Sequence, residues 1–366
     1  MITISLCMIV KNEEAVLRRC LESIRNAVDE IIIVDTGSGD NTESIAREFT
    51  ENVFHFEWCD DFAAARNYAF ERATMDYQMW LDADDVVPGS EREALIALKQ
   101  SLDPSFDIVT MPYILSVDGG GRPTFTSVRE RLIRRDLGLK WEGAVHECIP
   151  LTGRIFHSEI AIHHKKEHPG DPRRNLRIYE GIEKSGRSMT PRELYYFARE
   201  LRDNGELQRA EDYFTRFLDG GQGWVEDNIS SCLALSYIAR SNGDLSSERK
   251  YLLRSFEYDS PRAEICCRLG YFYKALGDYN TAADWFHLAL NLRRDHRMGF
   301  TNPDYSNYIP HIELCVCYYR LSDMERAHYH NEMALTFKPE DPAALSNRSL
   351  FYHAPPEAPS LDSVSL

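Results

Sequence analysis

The hydrophobic pattern of this chain changes period once, and that change limits the folds open to it. Up to about residue 187, short apolar runs that read as strands alternate with helices carrying one apolar stripe; from there to residue 352 the pattern is helical. The first run, Ile2 to Val10, breaks at Lys11-Asn12-Glu13-Glu14. Leu17, Cys20, Leu21 and Ile24 then share one helical face, with Asn12 as the expected cap, and Glu30 to Val34 is a second strand. A strand, a helix and a strand in that order imply parallel pairing. A third step passes through Ile45, Ala46 and Phe49 to the strand Val53 to Phe56, and Asp60 to Phe70 is a helix leading to the buried strand Tyr77 to Leu81. Ser90 is the expected cap of the helix that follows, with Glu93 three residues on.

After Gln100 the pattern turns antiparallel. Asp107 to Leu115 alternates, Asp118-Gly119-Gly120-Gly121-Arg122 is a hairpin signal, and Thr124 to Arg134 supplies the return strand. The second half repeats one turn: Asn204-Gly205-Glu206, Asn242-Gly243-Asp244, Leu276-Gly277-Asp278 and Leu321-Ser322-Asp323. Gly205 to Gly243 is 38 positions and Gly243 to Gly277 is 34, which brackets the tetratricopeptide period, and an insertion is expected around Arg293 to Pro310. The reading is therefore an α/β domain with a mixed sheet over residues 1–187, an all-α solenoid of helix pairs over 188–352, and a Pro- and Ser-rich disordered tail over 353–366.

The strongest chemical signal is Leu81-Asp82-Ala83-Asp84-Asp85, where a buried strand ends in three carboxylates. Crowded carboxylates repel unless a cation sits among them, and Mg²⁺ or Mn²⁺ is the usual partner for such oxygens. Open α/β sheets bind ligands at these strand ends. Asp35 ends another strand and is placed to accept hydrogen bonds from a base or ribose; Asp40 is the expected cap of the next helix. Arg66 either covers a diphosphate or pairs with Asp60 or Asp61. His146-Glu147 offers two candidate general bases. Strand Ile160 to Ile162 delivers His163-His164, of which alternation lets only one face a metal, and an imidazole ligand favours Mn²⁺ over Mg²⁺. Lys165, Lys166, Arg173, Arg174 and Arg177 form a basic patch suited to an anionic donor.

Lys11-Asn12-Glu13-Glu14, the Val34 to Thr42 turn, Ala65-Arg66-Asn67 and Leu81 to Asp85 occur in the same order as in family 2 glycosyltransferases of the GT-A fold, which this chain resembles. Trp141-x-Gly143-x-x-His146-Glu147 is similar as well, and the trailing repeats resemble bacterial enzymes that include peptide bacteriocin glycosyltransferases. The resemblance implies a Rossmann-like GT-A domain and an inverting transferase using a nucleoside-diphosphate sugar, UDP-linked foremost, with Mn²⁺ or Mg²⁺. It implies that Lys11, Asn12, Glu13, Asp35, Arg66, Asp82 and Ala83 bind the donor. Asp84 holds the metal with His163 or His164, and Glu147 or His146 is the base. The repeats then offer a face to a peptide or protein acceptor, or to a second copy of the chain. The competing expectation is an adaptor whose transferase domain is degenerate.

A net charge of −16 argues against a general nucleic-acid binder. No apolar run approaches the roughly 18 residues that a membrane span needs. Nine cysteines without a Cys-x-x-Cys pair fit neither a disulfide framework nor a zinc site, and with no export signal they predict a reducing cytoplasm.

Overall fold

The computed structural model describes residues 1–167, 171–292 and 302–352. Half of the expected insertion between Arg293 and Pro310, residues 293–301, and the tail from residue 353 lie outside them. The chain forms two compact units: Met1–Ser231, and a second beginning at Cys232. This division falls inside a helix, whereas the period of the sequence pattern changes at residue 187.

The first unit is built on a mixed nine-stranded sheet. Its strands are β1 (Ile4–Val10), β2 (Glu30–Asp35), β3 (Val53–His55), β4 (Tyr77–Trp80), β5 (Asp85–Val86), β6 (Ile108–Val117), β7 (Pro123–Arg134), β8 (Ile155–His157) and β9 (Ile162–His164). The order is β3-β2-β1-β4-β7-β6-β9-β5, with β8 paired to β6. The first four positions in this order are parallel, and β7 joins β4 antiparallel, as the alternation after residue 100 predicts. Helices α1 (Leu17–Ile24), α2 (Thr42–Arg47), α3 (Phe62–Phe70) and α4 (Gly89–Ser101) connect these strands.

Alternation along β1 fills both faces of the sheet. Ile4, Leu6 and Met8 pack with Leu17, Cys20, Leu21 and Ile24 of α1, while Cys7 packs with Ala63, Ala69 and Phe70 around α3. The expected caps shift. Asn12 does not start α1: at φ +56° its Oδ1 accepts from the Gly39 N–H at 2.8 Å, so the chain is still turning and the helix begins at Leu17. Ser90 lies inside the first turn of α4, because Pro88 already sets the entry. Asn41 is the residue before α2, yet the Asp40 carboxylate still accepts from the Thr42 N–H at 3.0 Å.

Four helices complete this unit or leave it: α5 (Arg174–Lys184), α6 (Pro191–Asp203), α7 (Leu207–Asp219) and α8 (Val225–Ser241), whose last turns belong to the second unit. The second unit continues with α9 (Leu245–Arg254), α10 (Ala263–Ala275), α11 (Tyr279–Asn291), α12 (Tyr308–Arg320), α13 (Met324–Phe337) and α14 (Pro342–Tyr352). Its helix-pair turns repeat one local chemistry. Gly243 and Gly277 take φ +75° and +78°, and Ser322 takes +64° at the matching place. Asp244, Asp278 and Asp323 then cap the next helix, each accepting from the backbone N–H three residues on. Ala282 and Ala327 are fully buried, and a Cβ on Gly270 would meet the Phe286 ring at 2.6 Å, so small residues set how closely the helices approach. All nine cysteines are free. Burial pushes the Cys266 thiol up to about 12, consistent with an inert core role.

Two buried polar features give checkable consequences. Arg131 on β7 and Asp85 on β5 are both fully buried and pair at 3.2 Å, with the guanidinium also over the Trp80 and Tyr113 rings. Arg131→Met leaves the carboxylate buried without its cation, a loss of about 3–5 kcal/mol in denaturant unfolding. Arg131→Met with Asp85→Asn recovers part of it, and a single-variant loss below about 1 kcal/mol contradicts the assignment.

In the second unit a hydrogen bond joins the Nδ1 atoms of His311 and His330 at 2.9 Å, and burial pushes both rings down to about 4. The unfolded rings titrate near about 6.5, so the unfolded chain gains protons first on acidification. The stability from this pair is complete above that value and is lost as pH falls through 4. Glu264, pushed up to about 7 by burial, acts in the opposite sense as pH rises. The expected result is that the ring signals of His311 and His330 stay neutral to about pH 5 in NMR titration. Titration at the ordinary histidine value would remove the effect.

Candidate active site

β1, β2 and β4 run parallel, so the loops that follow Val10, Asp35 and Trp80 emerge at one edge of the sheet. There they border a cavity of about 720 Å³. Of the twelve side chains singled out from sequence, ten line it: Lys11, Asn12, Glu13, Arg66, Asp82, Ala83, Asp84, His146, Glu147 and His164.

Asp35 and His163 are not among the lining residues. Asp35 is buried at the strand tip, where Oδ1 accepts from the Gly37 and Ser38 N–H groups at 2.7 Å, and Oδ2 has no partner among the described residues. Its neighbour Thr36 reaches the cavity instead. On β9, His163 pairs with Val86 and Ile114 in register, and burial and Lys165 hold its ring below the ordinary value. The period of two turns His164 the other way. Its Nδ1 lies 3.3 Å from Asp84 Oδ1, 3.6 Å from Asp85 Oδ1 and 3.0 Å from the Tyr113 hydroxyl.

Negative charge concentrates on this side. Burial, Asp84, Asp82 and Asp40 together push the Glu13 carboxyl up to about 7. Hydrogen bonds to Asp84 and Asp85 hold His164 up at about 10, so a protonated imidazole partly neutralises the cluster. Asp84, Asp85 and His164 bring one ligand atom each within 4.8 Å of one another, the grouping among the described residues that suits a cation. Their availability differs. Asp84 and His164 border the cavity, whereas Asp85 is sealed behind them, accepting from Tyr113 at 2.6 Å, Arg131 at 3.2 Å and the Asp82 N–H at 3.1 Å. Asp84 and His164 therefore fit a divalent cation, and Asp85 orients the groups around them.

Arg66 takes neither of the pairings expected for a surface helix. α3 carries it inward, where Nη2 donates to Asp82 at 2.7 Å and Nε to Glu147 at 2.6 Å, with the guanidinium about equidistant from the Trp80 and Trp141 rings at 4.9 and 5.0 Å. Asp61 caps that helix by accepting from the Ala64 N–H. In the same lining, His146 holds a left-handed backbone (φ +53°) and its Nε2 meets Glu200 Oε1 at 2.7 Å. Of the basic patch, Lys166 and Arg174 line the cavity.

Several lining or supporting residues carry no sequence signal. Arg129, Tyr113 and the α6 residues Arg192, Tyr196 and Arg199 are separated from the motifs by long stretches, and helical periodicity alone marks α6 as a helix.

Residues 5–161 match the profile of glycosyl transferase family 2, and residues 263–296 match a tetratricopeptide repeat. The chain is 28% identical over 310 residues to a TPR repeat-containing protein of Synechococcus elongatus, covering 82% of this chain and 69% of that one. It is 28% identical over 233 residues to the SPbeta prophage-derived glycosyltransferase SunS of Bacillus subtilis, covering 59% of this chain and 53% of that protein. It is 31% identical over 163 residues to the lipopolysaccharide core biosynthesis glycosyltransferase LpsC of Rhizobium meliloti, covering 42% and 58% respectively. The chain thus spans about half the length of the two glycosyltransferases it matches here. With the mixed sheet, the strand-end carboxylates and the helix-pair turns, these matches identify a glycosyl transferase family 2 domain followed by tetratricopeptide repeats.

Proposed function

We propose that this chain is an inverting glycosyltransferase that moves a sugar from a nucleoside-diphosphate sugar, UDP-linked, onto a peptide or protein acceptor in the cytoplasm. Residues 1–187 form the catalytic domain in this reading, and the repeats of 188–352 present the acceptor or a second copy of the chain. No helix among the described residues is long and apolar enough to cross a membrane.

The observation that carries the proposal is one cavity lined both by the acids Glu13, Asp82 and Asp84 and by His146 and Glu147, with Arg66 joining Asp82 to Glu147. Lys11 and Asn12, with Arg66, Asp82 and Ala83, contact the donor. Asp84 and His164 would hold Mn²⁺ or Mg²⁺, the imidazole favouring Mn²⁺. A cation bound there supplies charge neutralisation for the leaving diphosphate. Lys166 and Arg174 attract the same anion, and the pair His146 and Glu147 supplies the group that receives the acceptor proton.

Calorimetry with UDP in the presence and absence of Mn²⁺, and UDP release from a panel of UDP-sugars, test the reading. Asp84→Ala should abolish the metal-dependent heat and slow nucleotide release by about 100-fold or more. Undiminished turnover contradicts the metal role. A wild-type chain with no metal-dependent heat favours the adaptor alternative, in which the repeats alone work.

A further inference from the structure

Helix α6 lies beyond the residues that match the family profile, yet it braces the turn that carries His146 and Glu147. Arg192 donates from Nε and Nη2 to the His146 carbonyl at 3.1 and 2.9 Å, holding the left-handed backbone. Tyr196 stacks on the imidazole with centroids 4.2 Å apart and planes at 15°. Glu200 Oε1 meets Nε2 at 2.7 Å and also accepts from Asn175 Nδ2 of α5 at 3.2 Å.

These contacts decide the ring's chemistry. Burial pushes the Glu200 carboxyl up, but its bonds to His146 and Asn175 outweigh this and hold it below the ordinary range. A carboxylate only accepts, so Nε2 carries the hydrogen and Nδ1 keeps the lone pair. Nδ1 makes no hydrogen bond among the described residues. The groups facing the ring are Glu200, Arg199, Arg192 and Tyr196 from α6, Tyr179 from α5, and Glu147 beside it. Burial is the largest influence and leaves the imidazole below its ordinary value, hence neutral and able to take a proton at pH 7. Glu147, by contrast, already holds Arg66 Nε at 2.6 Å, so one of its carboxylate oxygens is engaged.

We infer that His146 Nδ1 receives the acceptor proton and that Glu200 is the positioning residue that fixes and supports it, an inference that rests on the transferase reading of this cavity. In the step, the acceptor hydroxyl oxygen forms a bond to the anomeric carbon as the bond from that carbon to the diphosphate oxygen breaks. The bonding pair leaves with the nucleoside diphosphate, and the hydroxyl proton moves to Nδ1. Glu200 then faces an imidazolium, whose charge it stabilises.

The test compares wild type with Glu200→Gln, Glu200→Asp, His146→Gln and Glu147→Gln. Nitrogen NMR of the wild type should show the Nε2–H tautomer of His146, and Glu200→Gln should lower the ring pKa by about one unit. With water as acceptor, and the UDP-sugar that the wild type hydrolyses fastest, His146→Gln should lose about 100-fold or more in kcat. Glu200→Gln should lose about tenfold or more, with KM for the donor little changed and the acid limb of the pH profile moved downward; Glu200→Asp should restore most of the rate. Unchanged UDP and Mn²⁺ heat in the His146 and Glu200 variants confirms an intact donor side. An Nδ1–H tautomer, an unmoved pH profile in Glu200→Gln, or a larger loss in Glu147→Gln than in His146→Gln overturns the inference. If the wild type turns over no UDP-sugar, the transferase reading itself fails, and the catalytic role of His146 with it, while the tautomer still reports the pairing.

Discussion

The buried guanidinium of Arg66 is the interaction on which the site depends. A charge this deep is tolerable only with partners that offset its desolvation, and here two indoles flank it while Asp82 and Glu147 accept from different nitrogens. Because those carboxylates come from residues far apart in sequence, one side chain ties the end of β4 to the turn that carries His146 and Glu147. It also restrains Glu147, the residue beside His146.

Acids crowd the end of β4. Burial, with Asp84 and Asp82, raises the Glu13 carboxyl, and hydrogen bonds to Asp84 and Asp85 raise His164. A divalent cation entering between Asp84 and His164 would release that proton and replace one positive charge with two. The Asp85, Arg131 and Tyr113 cluster beneath gives this exchange a rigid base, since all three are buried and mutually bonded.

Much of this was readable from the linear order of residues. Carboxylates after a buried strand fall at the ligand edge of a parallel sheet whatever the details, and so Glu13, Asp82 and Asp84 were found together. The helix-pair turns were equally plain, because a left-handed position followed by a capping Asp is a local chemistry. Helix starts were less so: Asn12 and Ser90 have the composition of caps, but a loop contact and a preceding proline placed the first turns elsewhere.

Neighbours a few residues apart settle the βαβ order, the change of period, the strand-end acids and the glycine turns. Only the tertiary structure decided which histidine faces Asp84, which acids Arg66 meets, and that Glu200 reaches His146 across 54 positions of chain. The physical reason is that strand direction, register and helix docking set these distances, and those are settled by burial of many side chains at once. No local motif encodes them.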